Sequence, residues 1–150
     1  MKLAEALIER ADLQRRLEQL KQRLNQNAQY QEGEEPAEEP NALLAEYRQT
    51  ATELERLIIK INLANNRISL ENGQLMVEAL AKRDRLKAEH STLINLADSA
   101  TQTFDRYSRS EIKTLAAIDV KAIRKQIDEL AKQHRQLDTR IQLANWLSEI

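Results

Sequence analysis

The residues best equipped for chemistry are the two histidines of this 150-residue chain, His90 and His134. Asp138 lies one helical turn beyond the second, on the same face if the segment is helical. Two imidazoles and a carboxylate form a ligand set that suits zinc. The same three side chains would also serve as a polar layer at a helix–helix surface, with Asp138 orienting His134. The Glu-x-x-His pairs of di-iron bundles are missing, since Lys87 and Ala131 stand three residues before the histidines. Zinc is therefore the one cofactor that the sequence raises.

A second cluster runs through Arg106, Tyr107, Ser108, Arg109, Ser110, Glu111 and Lys113. Cations interleaved with hydroxyls could grip an anion or a partner surface. They could equally satisfy helix ends and loop backbone groups. With no cysteine, neither disulfides nor thiolate metal sites can form. No glycine-rich phosphate loop or nucleophile elbow occurs, so the expectation is a protein that is not an enzyme and has no small-molecule substrate.

These residues must be positioned by helices. Leu13, Leu17, Leu20 and Leu24 follow the alternating three- and four-residue steps of an aliphatic seam, and Ile123, Ile127, Leu130, Leu137 and Ile141 follow them again. Aromatics make up only 3% of the chain and charged residues 31%, which suits long helices zipped by aliphatic seams better than a compact globule. The periodicity predicts four helices: Leu3 to Asn27, Asn41 (as N-cap) to Asn66, Met76 to Asp105, and one starting after an Asp119 N-cap. The second seam is read as Leu44, Tyr47, Ala51, Leu54, Ile58, Ile61, Asn65 and Ile68. The third is read as Ala79, Arg83, Leu86, His90, Leu93, Ala97, Ala100 and Phe104. If the third and fourth helices fold back about Ile112, His90 and His134 fall in one layer.

Between the first two helices, residues 29–40 hold five glutamates, Gly33, Pro36 and Pro40, the composition of a solvated acidic loop. Asn72-Gly73 between apolar residues signals a small β-hairpin near 68–77, pairing Leu70 with Leu75 and Ile68 with Val77. A plain helix–turn–helix connection is the competing reading. Alternation of Ile112, Thr114, Ala116 and Ile118 suggests a short strand near 111–118. Exposed strand edges invite pairing with another chain, so a homo-oligomer with a β contact between subunits is expected. Trp146, one residue off the fourth seam, is a second candidate contact.

Formal net charge is −1, which draws the chain to neither nucleic acid nor anionic lipid, and no nucleic-acid partner is expected. Apolar runs reach only three or four residues, too short to span a membrane. A cytoplasmic location is the expectation.

Particular strings add to this. MKLAEALIERADLQRRLEQLKQRL, QEGEEPAEEP, EALAKRD, DRYSRSEIK and DELAKQHRQLDTRIQLANW together resemble the small helical bacterial proteins known as septicolysin-like. The resemblance spans essentially the whole chain, and the DRYSRSEIK string with the acidic proline loop is its most specific part. What it implies is a helical protein whose family name points to membrane-active cytolysis. The matched Arg106, Tyr107, Ser108, Arg109, Ser110 and Glu111 become its candidate functional surface.

Taken together, the sequence predicts a single all-α domain over 1–150. It is an elongated antiparallel helical bundle or coiled coil of four long helices, with the small β elements at its turns. The expected function is non-enzymatic structure or interaction through self-association. Cytolysis is the alternative, the one reading under which membrane contact is expected. A metal or anion site at the histidine layer or the basic segment is the third.

Overall fold

Four helices form where the periodicity demands them: α1 (Leu3–Gln26), α2 (Pro40–Asn65), α3 (Met76–Thr101) and α4 (Val120–Leu147). They are seen in a computed structural model that describes residues 1–102 and 112–150. The fold is all-α, and no β-strand forms among the described residues.

Each helix start has a local cause. In α1 and α3 the third helical residue reaches back: Glu5 accepts from the Lys2 N–H at 2.7 Å and Glu78 from the Leu75 N–H at 3.3 Å. Neither Lys2 nor Leu75 carries a side-chain acceptor, so each motif is half a capping box. The α2 start differs from the reading that made Asn41 the cap. Pro40 occupies the first helical position and Glu39 is the cap, its carboxylate accepting from the Ala42 N–H at 2.7 Å. Proline fits there because that position has no intrahelical use for an N–H. Asp119 caps α4 as expected, accepting from the Ala122 N–H at 3.1 Å.

The β readings are corrected. Asn72-Gly73 does make a tight turn: Gly73 sits at φ 83°, its N–H donates to the Leu70 carbonyl at 2.9 Å, and Leu70 N–H donates to the Gln74 carbonyl at 2.8 Å. No strands extend from it, because α3 begins at Met76 and takes Val77 into helix. Two-residue arms offer too few ladder bonds to compete with a helix whose first turn is already closed by Glu78. Residues 112–118 are irregular rather than a strand, and Glu111 lies outside the described residues.

Packing divides the chain into two compact units, 1–69 with 143–150, and 70–142. In the first, α1 and α2 are antiparallel, as the ion pairs Arg16–Glu46 (2.8 Å) and Arg23–Glu38 require. Leu3, Ala6 and Leu20 of α1 are buried, as is the seam Leu43, Thr50, Leu57, Ile61 and Ala64 of α2. Residues 148–150 close this unit by pairing with residues 1–3. Leu3 N–H donates to the Ser148 carbonyl at 2.9 Å, and Ile150 N–H to the Met1 carbonyl at 3.0 Å. In the second unit α3 runs against the first part of α4. Met76, Ala79, Leu86 and Ala97 of α3 and Leu130, Leu137 and Ile141 of α4 are buried. Those α3 and α4 seams match the sequence reading, whereas the α2 seam lies one residue earlier at alternate positions.

Candidate functional site

In the second unit, His90 on α3 and His134 on α4 line one cleft of ≈ 230 Å³ together with Lys87, Ala131 and Arg135. The seam spacing thus brings the two imidazoles together, both half-buried. Asp138 does not join them as a free ligand: its Oδ1 accepts from Arg83 Nη1 at 2.9 Å. Among the described residues no group of three or more His, Cys, Asp or Glu side chains converges on a point where a metal would sit. Two cationic residues, Lys87 and Arg135, line the same cleft as the imidazoles. Among the described residues none of these four side chains has a hydrogen-bond or ion-pair partner.

Lys87 and Arg135 were not singled out by sequence. Lys87 stands three residues before His90 and Arg135 directly after His134, both beside the seam. A helix plot would have placed them on its flank, but nothing in their type distinguished them from the many other surface cations.

The second candidate surface, Arg106 to Glu111, lies outside the described residues. Of that cluster Lys113 is described, and it is exposed. Ile112 and Leu115 nearby are 86% and 80% exposed.

A third feature emerges only from the fold. At one end of the first unit, large apolar side chains face solvent: Ile59 and Leu63 on α2, and Leu143, Trp146 and Leu147 at the end of α4. The register set by Arg16–Glu46, extended along both helices, brings Ile59 level with Leu3. Leu3 is the residue whose N–H holds the 148 carbonyl, so the α2 and α4 residues share that end. Trp146 is 54% exposed and Leu147 68%. Only Trp146 of the five was marked by sequence. On α4 the available signal was a second stripe, Leu143, Trp146 and Leu147, at steps of three and one beside the Ile141–Ala144 seam.

Surface ion pairs in this same unit shift the groups that form them. Hydrogen bonds between Arg23 and Glu38 raise the guanidinium and hold the carboxyl below its usual range. The Lys2 ammonium, bonded to Glu149 at 2.9 Å, does the same to that carboxyl. These pairs fasten the loop and the chain ends.

Known proteins add fold and family. Residues 10–150 match the family described as "Family of unknown function (DUF6847)", and the chain belongs to that family. A search of curated proteins finds no match. A crystal structure of a functionally unknown conserved protein from Corynebacterium diphtheriae is 43% identical, with a TM-score of 0.93. The match covers 100% of this chain and 98% of that one.

Proposed function

We propose that this member of the family works by self-association, as a non-enzymatic interaction protein whose contact surface is the apolar end of its first unit. The observation that carries this reading is the exposure of Ile59, Leu63, Leu143, Trp146 and Leu147 at that end. Monomeric proteins scatter their exposed apolar residues, and a concentration of large ones marks a contact site. Tryptophan in particular is enriched among the residues that dominate interface energy.

A second copy of the chain is the occupant that the charges favour. With a net charge of only −1, two copies meet with little mutual repulsion. The exposed charges of this unit carry both signs: Glu9 on α1, and Arg56 and Lys60 on α2 beside Ile59, form no ion pair among the described residues. A two-fold contact presents the same patch twice, so a patch holding both signs can complement itself. This replaces the strand-edge contact expected from sequence, for which the described residues offer no strand.

The cytolytic reading attached to the septicolysin-like resemblance has less support. No helix among the described residues is long and apolar enough to cross a membrane. The test is solution mass by light scattering on the wild type and on Trp146→Glu, with Tyr107→Ala/Arg109→Ala as a second variant. A discrete oligomer dissociated by Trp146→Glu alone supports the proposal. Dissociation by the second variant alone moves the interface to residues 106–113. A wild-type monomer that makes liposomes leak overturns self-association in favour of cytolysis.

A further inference from the structure

The α3–α4 cleft is not used by the self-association proposed above, and its chemistry points elsewhere. We infer that Lys87, His90, His134 and Arg135 form a binding site for a small phosphate-class oxyanion.

Every polar side chain lining the cleft is a hydrogen-bond donor or can become one. Lys87 offers an ammonium and Arg135 a guanidinium fork, and neither side chain has any acceptor. Each imidazole donates from one ring nitrogen when neutral and from both when protonated. The one remaining lining residue, Ala131, contributes only a methyl group. Among the described residues no carboxylate lines the cleft. Asp138, one turn beyond His134, is engaged by Arg83 at 2.9 Å.

Two permanent cations beside two imidazoles disfavour a divalent metal, which would bring further positive charge among them. They favour an anion with several acceptor oxygens, to which charge-assisted bonds are the strong ones. None of the polar lining atoms is a sealed, unsatisfied group, because no buried side-chain nitrogen or oxygen among the described residues lacks a partner. The unpartnered ring nitrogens are therefore reachable from solvent. Size narrows the class: ≈ 230 Å³ is below the roughly 300–1,000 Å³ of clefts that take drug-sized ligands. It suits phosphate itself or the phosphoryl end of a small ester.

The chain supplies its own probe, because its two histidines are both in the cleft. Their imidazole carbon-bound proton signals, followed by NMR, report on this site alone. Inorganic phosphate and glycerol phosphate are titrated separately at fixed pH and at ionic strength held constant with sodium chloride. The expected result is a saturable shift of both rings, with affinity reduced tenfold or more in Arg135→Gln and in Lys87→Gln. Both replaced side chains are exposed, so helicity by circular dichroism should be unchanged. Tighter binding of the ester assigns the site to an esterified phosphoryl group, and equal or weaker binding to the free ion. A linear, unsaturable shift overturns the proposal, as does a shift indifferent to both variants. Saturable binding of zinc chloride at both rings without any phosphate response overturns it in favour of a metal site.

Discussion

Replacing Asn27 with alanine should loosen the acidic loop from α1, by an amount that the geometry allows to be worked out. Asn27 is 7% exposed, and both faces of its amide are used. Its Nδ2 donates to the Arg23 carbonyl at 2.8 Å, and its Oδ1 accepts from the Glu38 N–H at 2.9 Å. The first bond satisfies a helix-end carbonyl that also receives the Asn27 N–H at 3.1 Å, so its loss leaves no orphan. The second is different, because the Glu38 N–H has no other partner among the described residues. One ordinary hydrogen bond contributes about 0.5–1.5 kcal/mol net, and a donor left unmet adds about 1–3 kcal/mol where water cannot reach it. Glu38 is half-exposed, so water offsets part of the second amount. The expected destabilisation is therefore about 1–3 kcal/mol. Urea unfolding followed by circular dichroism reads it, with the slope unchanged if only stability moves. Asn27→Asp keeps the acceptor and should retain the Glu38 bond, at the cost of placing a second carboxylate beside Glu38. A loss below about 0.5 kcal/mol in Asn27→Ala, the range of ordinary surface changes, would refute the claim that this amide joins loop to helix.

Three further outcomes follow from the packing and the charges. Leu86→Ala removes a side chain that is 1% exposed at the centre of the α3 seam. It should cost about 2–5 kcal/mol, read as a fall in the urea midpoint. Asp119→Ala removes the α4 cap and should cost about 0.5–2 kcal/mol, with faster amide exchange at Ala122 than further along α4. Because the Glu38 and Glu149 carboxyls are depressed in the folded chain, their contributions are present above the ordinary carboxylate range. They vanish as pH falls through the depressed values. Protection factors for the Leu3 and Glu38 amides should fall in acid before those of the Leu86 region, and neutral high salt should reproduce part of the loss.

How much of this was legible in the sequence depended on how sharply each stripe was drawn. The α3 and α4 seams could be read because their core positions are flanked by polar residues, as Leu137 is by Gln136 and Asp138. On α2 the apolar residues come in neighbours, Leu43-Leu44 and Leu57-Ile58-Ile59, and periodicity cannot say which of a pair faces inward. Packing against α1 chose Leu43 and Leu57, and it left Ile59 outside, where it joins the exposed apolar end. The Asn72-Gly73 turn was legible because its chemistry is local. Its arms were not, because whether Val77 becomes strand or helix depends on the capping at Leu75. The histidine pair followed from counting along two seams. The cations beside it did not, since a lysine or arginine gains meaning only when a second helix supplies the facing wall.

The most direct test of self-association uses the one tryptophan, Trp146, which sits within the proposed contact. Its fluorescence emission should be followed through a dilution series of the wild-type protein. In the associated state the half-exposed indole is covered, so the emission should lie to the blue at high concentration. It should move to the red on dilution along a single binding curve. An emission maximum that stays constant from high to low concentration, with the mass of a single chain throughout, would contradict the account.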